Sequence, residues 1–320
     1  MMGAGTASPE PPVLSVIIPI VSDTIGTRAN ALALAECLEG FARQRNAPPT
    51  ELIVPHHGQV DGIDELRRKY PDVVFLPVSN VNILRRKKGG REHHDVLRAR
   101  GMLAATGELI GLVEDHAVPD ENWSATTVAA HREENAVIGG AMENGVDRLL
   151  NWAVYFCDFG KYQNPVPAGP SSSASDANVI YKRRSLERVR DAWQRSFREV
   201  IVNGRLMSLG EKVVLRPDVI LYQNRRRLRF GEALRERYIW GRSYAATRNL
   251  LLTLPKRMVY AALSPALPFL LTLRMGRVAW NRRRRFGKYV AALPLILLLQ
   301  ISWSLGEGMG YLRGITPEGE

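Results

Sequence analysis

The chain has 320 residues, of which 45% are hydrophobic and 24% charged, with a net charge of +12. Such a chain folds as one large or two modest domains; it is neither a disordered tail, a collagen-like fibre nor a disulfide-stapled mini-protein. Its two cysteines, Cys37 and Cys157, stand far apart and form no CxxC, which excludes a zinc ribbon or thioredoxin-like site and points to reduced, buried thiols.

Residues 1–12 carry no basic stretch followed by an apolar one, so they read as a tail without a secretory signal. Val13–Ile20 is a β-branched apolar run, the pattern of a strand buried on both faces. Ala31–Arg45 has helical spacing in Leu32, Ala35, Leu38 and Phe41. Glu51–Pro55 reads as a second strand, and Asp61–Lys69 as a helix with Asp61 as its cap. Val73–Val78 is a third strand, Glu92–Ala105 a helix stopped at Gly107, and Leu109–Val113 a fourth strand ending in Glu114-Asp115-His116. This βαβαβαβ order predicts a Rossmann-like α/β layer, mostly parallel, with helices on both faces and ligands at the carboxyl ends of the strands.

The second half is more mixed. Ala136–Met142 and Ala177–Tyr181 read as strands, and Arg148–Phe159, Arg184–Trp193 and Phe197–Leu209 as helices. Between them Gln163–Ser175 is a Pro/Gly/Ser loop, either a lid or slack chain. Val213–Leu215 and Val219–Tyr222 read as short strands, and Phe230–Leu250 as one long helix. A catalytic domain over residues 13–228 and a basic, apolar helical region over 229–320 follow from this change of pattern.

Charge sharpens that division. Gln223–Lys288 holds 17 Lys/Arg against Glu232 and Glu236, a net +15, which leaves the rest at −3. The basic residues flank two apolar runs, Val259–Leu273 and Tyr289–Leu305. The first has 15 residues and two prolines, too short to span a bilayer comfortably; the second has 17 and is borderline. Basic residues beside apolar runs fit an anionic membrane surface better than a nucleic-acid groove; two buried core helices are the other reading. A two-span topology would put Arg282–Arg285 outside, against the positive-inside rule. An in-plane or re-entrant pair avoids that conflict, with a single span by the second run as the fallback. The expected location is the cytoplasmic face of the inner (plasma) membrane.

Glu114-Asp115-His116 carries the strongest chemical signal. Two carboxylates and an imidazole after a buried strand suit Mg2+ or Mn2+ and the diphosphate such an ion would neutralise. The alternative is a polar turn in which Asp115 caps the next helix. His93-His94-Asp95 does not converge on a helix, and His131 reads as structural.

Four stretches, in order, resemble the family 2 glycosyltransferases of GT-A fold. They are VLSVIIPI with Pro19, ELIVPHHGQVDG from Glu51, RARGMLAATGE with Arg98, Gly101 and Gly107, and LIGLVEDHAVPDENW with Pro119, Asp120 and Trp123. Asp176 to Arg184, Phe197 to Leu206, Arg216-Pro217-Asp218 and Glu236–Arg242 resemble later segments of the family more loosely. Trp303–Gly314 resembles the ending of bacterial polysaccharide-related members.

The resemblance implies an inverting transfer from a nucleotide-sugar donor to a sugar or lipid-linked acceptor, with no nucleic-acid partner. It implies Glu199 as the base, a metal at Glu114, Asp115 and His116, and substrate contacts at Pro19, His56, His57, Arg98, Glu114, Asp115 and Asn178. Arg237 and Arg242 are added as diphosphate ligands, with anionic lipid contact or plain solvation as the other reading. There are departures. His56-His57 replaces the family's Asp-Asp, Ala99 replaces an Asn, a turn holding Asp23 and Gly26 is inserted, and Val200 replaces the second acid beside Glu199. They keep open a degenerate GT-A protein that binds a nucleotide sugar or partner enzyme without catalysis. A nucleotidyltransferase is disfavoured because strand one lacks a glycine-rich loop.

Overall fold

The computed structural model of the chain describes residues 11–22, 29–58, 60–79 and 92–314. The turn at Asp23 and Gly26 and residues 1–10 of the tail lie outside them. The first half runs β1 (Leu14–Ile17), β2 (Ala29–Asn30), α1 (Leu32–Ala42), β3 (Thr50–His57), β4 (Val60–Asp61), α2 (Ile63–Lys69), β5 (Val74–Val78), α3 (Glu92–Ala104) and β6 (Leu109–Val113). Strands β5, β3, β1 and β6 lie side by side, all parallel. Every residue of β1 and β6 is buried, as their unbroken apolar runs require. On α1, Leu34, Leu38 and Phe41 form the buried stripe. Asp61 does not cap α2. It pairs with Asn30 in the short β2–β4 ladder, and Gly62, at φ 84°, takes the cap position that a side chain would strain.

The second half adds β7 (Ala117–Pro119), α4 (Trp123–Ala130), β8 (Val137–Asn144), α5 (Leu149–Phe159), β9 (Gly169–Pro170), β10 (Asn178–Lys182), α6 (Arg183–Glu187), α7 (Glu199–Ser208) and β11 (Val213–Gln223). Here the sheet turns mixed. β10 inserts antiparallel between β6 and β8, β11 runs parallel to β8, and β7 and β9 pair antiparallel with β11. The two strands expected around Pro217 are one strand with a bulge between Arg216 and Ile220. Proline offers no ladder donor, and the Arg216 guanidinium spans the bulge to both oxygens of Asp218, at 3.0 and 2.9 Å. The helix expected over Arg184–Trp193 is only the short α6 and a 3-10 turn, Arg190–Ala192. The Pro/Gly/Ser loop is pinned: β9 pairs with β11, and Ser171 and Ser173 hydrogen-bond each other.

Four helices close the chain: α8 (Phe230–Asn249), α9 (Leu254–Leu263), α10 (Leu267–Arg282) and α11 (Phe286–Arg313). The first apolar run is longer as structure than as sequence. A 3-10 turn, Ser264–Ala266, joins α9 to α10, and Pro265 and Pro268 sit in first turns, where the missing N–H is tolerated. Leu254–Arg282 and Phe286–Arg313 are thus both long and apolar enough to cross a membrane, by length and composition. α11 buries Ala292, Ile296, Leu299 and Tyr311 and packs on α8 and α5, while Val290, Leu298 and Leu305 face outward.

Candidate active site

β6 delivers Glu114, Asp115 and His116 to the carboxyl edge of the sheet, and β7 begins directly after them. Asp115 caps no helix. It is fully buried, and its Oδ1 accepts the Val21 N–H at 3.3 Å, which ties this turn to the chain leaving β1. His116 stands between the two acids, with Nδ1 3.0 Å from Asp115 Oδ1 and Nε2 3.2 Å from Glu114 Oε2. Burial acts to lower the imidazole pKa, but hydrogen bonds to Asp115 and Glu114 outweigh it and push it up to about 9. Burial likewise acts to raise the Glu114 carboxyl, yet His116 and the Arg98 guanidinium hold it well below the usual carboxylate range. Gln223, the last residue of β11, donates to Glu114 Oε2 at 3.1 Å.

Arg98 is the hub of the site. It is 1% exposed and reaches Asp176 at 3.0 Å, Asp95 at 3.5 Å and Glu114 at 3.7 Å. One guanidinium thus compensates three acids from three elements, a buried arrangement in which no member is expendable. Asp95 also draws α7 into place: its carbonyl accepts the Phe197 N–H at 2.9 Å and its carboxylate pairs with Arg198 at 3.4 Å. The next residue is Glu199, in the first turn of α7.

Glu199, Glu114 and Asp176 line one cavity of about 670 Å³, whose far wall is α10. His116 lines a second cavity of about 560 Å³, together with Ser22, Asn30, residues 225–229 and the acids Glu36, Glu232 and Glu236. Asp95, Asp176 and Gln223 were given no role in this site by the sequence, although Asp95 stands beside the His93-His94 pair and Asp176 opens a family-like segment. They are single polar residues far apart in the chain, and only the β10 insertion and the α3–α7 contact bring them together.

The remaining candidates are spread more widely. Pro19 is buried just beyond β1. His56 and His57 end β3, both buried, with His56 Nδ1 2.8 Å from the His57 carbonyl; neither lines the two large cavities. Asn178 is fully buried. Its Oδ1 accepts Trp123 Nε1–H, and its Nδ2 donates to the Ala141 and Val219 carbonyls, each at 3.0 Å, so it is spent on holding the bulged strand to the sheet. Arg237 lines the larger cavity but pairs with Asp158 and lies 4.4 Å over the Trp303 ring. Arg242 does not line it; that part of α8 packs backbone to backbone on α11.

The triplet has the donor types for a divalent cation, but its geometry does not fit one. Among the described residues no three His, Cys, Asp or Glu side chains converge as a metal site. The His116 ring stands between the two carboxylates, 3.0 Å from Asp115 and 3.2 Å from Glu114, in the space an ion would take.

No curated protein sequence matches the chain. Solved structures similar to it include a mannosyltransferase, PcManGT, from Pyrobaculum calidifontis in complex with GDP-Man and Mn2+ (16% identity, 74% of this chain and 65% of that one, TM-score 0.47). S. aureus TarS 1–349 in complex with UDP-GlcNAc is similar at 14% identity over 94% of this chain and 92% of that one, TM-score 0.47. The model of the family named glycosyl transferase family 2 matches residues 15–190, from β1 through α6, which takes in Arg98, Glu114–His116 and Asp176. With more than half of its length matched in that way, the chain belongs to glycosyl transferase family 2.

Proposed function

We propose that this family 2 glycosyltransferase transfers a sugar, with inversion, from a nucleoside-diphosphate sugar to an acceptor hydroxyl. One observation carries the reading: Glu199, Glu114 and Asp176 line a single cavity, and His116 beside Glu114 lines a second one that holds four arginines and three glutamates. The donor's diphosphate belongs on the arginine side and its nucleoside toward Pro19, His56 and His57. The acceptor belongs in the larger cavity. Glu199 takes the proton from the acceptor hydroxyl, whose oxygen forms a bond to the anomeric carbon. The bond from that carbon to the phosphate oxygen breaks on the opposite face, and its electron pair leaves with the nucleoside diphosphate. His116, protonated between its two acids, and the arginines offset the growing negative charge, usually the largest catalytic term.

Mg2+ or Mn2+ would join this site only with His116 displaced from between Glu114 and Asp115, so no step is assigned to an ion. Attachment to the cytoplasmic face of the inner membrane through α9–α11 belongs to the same reading. It is supported by their outward apolar residues and basic flanks.

The test is nucleoside diphosphate release by the full chain in detergent, with a panel of nucleotide sugars, with and without Mg2+ or Mn2+. Glu199→Gln is expected to lower turnover roughly 10²–10⁴-fold and leave donor affinity unchanged, as loss of a general base does. Donor binding without turnover in wild type, with every acceptor offered, would favour the degenerate, binding-only reading. Absence of nucleotide binding would sink both.

A further inference from the structure

The oxygens that the carboxylate edge could offer a divalent ion are turned to other uses. Glu114 Oε2 accepts Gln223 Nε2–H at 3.1 Å and stands 3.2 Å from His116 Nε2, while Oε1 lies 3.7 Å from the Arg98 guanidinium. Asp115 Oδ1 accepts the Val21 N–H at 3.3 Å and stands 3.0 Å from His116 Nδ1. Asp115 Oδ2 has no hydrogen-bond partner among the described residues, but it is closed off from solvent. Mg2+ and Mn2+ need open space beside their protein ligands, to hold waters and substrate phosphate. Asp115 offers none. It is fully buried and lines neither of the two large cavities, nor the two of about 20 Å³ that touch Glu114 and His116.

The surrounding charge also opposes an ion. One of the small cavities against Glu114 and His116 is lined by Arg98 and Arg225 as well, and the other acid there, Glu236, is already 2.7 Å from Arg225. A divalent cation would stand beside two guanidinium groups, and repulsion between like charges grows as a site is buried. The same groups suit a diphosphate. A guanidinium carries five N–H donors, so Arg225 keeps donors for phosphate oxygens while it holds Glu236, and it lines the 560 Å³ cavity together with His116.

We infer that this chain binds the diphosphate of its donor without a divalent cation. Gln223 holds the Glu114 carboxylate, Glu114 and Asp115 fix the His116 ring in the space of the ion, and guanidiniums supplied by the fold face the phosphates. Glu114 and Asp115 are then positioning residues, and His116 is the side chain that keeps the ion out. The identity of the ligand as a nucleoside diphosphate rests on the transferase reading; the exclusion of an ion rests on how Glu114, Asp115 and His116 pack.

The experiment measures binding of UDP, GDP, ADP and dTDP to the full chain in detergent by calorimetry, in EDTA and in excess Mn2+. At least one nucleotide is expected to bind with Kd values that agree within about twofold in the two conditions. Titrated into Mn2+ alone, the wild-type protein should leave the paramagnetic resonance signal of the free ion unchanged. His116→Asp removes the ring and adds a carboxylate. It should quench that signal and make nucleotide binding at least about tenfold tighter in Mn2+ than in EDTA. Circular dichroism checks that this variant folds. A folded variant that takes up no Mn2+ overturns the part given to His116; where it does not fold, the wild-type comparison decides. Wild-type binding that is about tenfold or more weaker in EDTA overturns the inference and leaves the transferase reading standing. If no nucleotide binds in either condition, both fall.

Discussion

Single side chains in this protein divide into those that do chemistry and those that hold the sheet. The family-like motif around Arg98 contains both kinds. Arg98 gathers the acids, whereas Gly101 is there because a Cβ would come within 2.3 Å of the Ile17 side chain on β1. His131 is buried, with a measurable consequence. It is 5% exposed at the end of α4, and burial, helped by the Lys182 charge, pushes its pKa down to about 3. The unfolded chain takes up a proton near pH 6.5 and the folded chain does not, so stability is lost as pH falls from about 6.5 toward 3. At pH 5 the loss from this residue is about 2 kcal/mol. His131→Gln should flatten the pH dependence of Tm between pH 7 and 5, whatever it does to Tm itself; an unchanged slope would show that the ring already titrates freely. The i,i+3 pair of Asp95 and Arg98 lies within α3, but the contacts of Arg98 with Glu114 and Asp176 and of Asp95 with Arg198 were not legible, because those partners are distant in the chain.

At the scale of elements, the first four parallel strands were readable because each is an unbroken β-branched run followed by a helix. The later strands were not, since β10 enters between β6 and β8 and its direction depends on pairing partners distant in sequence. Pro217 looked like a break, but a bulge accommodates it. The C-terminal helices show what sequence pattern hides best. α8 and α11 meet through glycines: a Cβ on Gly306 would lie 2.0 Å from the Tyr238 carbonyl oxygen, and one on Gly241 2.1 Å from that of Trp303. The closeness is what lets Arg237 reach both Asp158 on α5 and Trp303 on α11. Gly306→Ala must therefore push two backbones apart, at a cost of several kcal/mol for a buried overpacking with lost contacts. Gly287→Ala, in the same helix with open space around it, should be neutral or stabilising by up to about 1 kcal/mol. Denaturant midpoints of the two variants in one detergent check this contrast, and equal midpoints would mean that α11 does not dock as described.

At the scale of the molecule, the catalytic edge and the apolar helices are parts of one device, since the same helix walls the cavity and presents an outer apolar face. A sequence pattern reports that face as a short, proline-broken run; the fold makes it a continuous surface flanked by Arg277 and Arg282–Arg285. Some of that basic charge is already used, with Arg284 on Glu143 and Lys288 on Asp147. Arg282 is half-buried against the Gln163 carbonyl and Arg285 over the Trp152 ring, while Arg277 and Arg283 are exposed as the outer leucines are, an arrangement suited to anionic headgroups. Full-length protein is therefore expected to sediment with vesicles containing anionic lipid more strongly than with neutral ones, and the difference should shrink as salt rises. Leu270→Asp with Leu273→Asp places two charges on the outer surface, 59% and 72% exposed at present. Each leucine contributes at most about 1.5–3 kcal/mol to burial in lipid, so the pair should weaken vesicle binding tenfold or more. Nucleotide-sugar hydrolysis in detergent should stay at the wild-type level, because neither side chain lines the cavity. Loss of hydrolysis together with vesicle binding would mean that the outer and inner surfaces of α10 do not act separately.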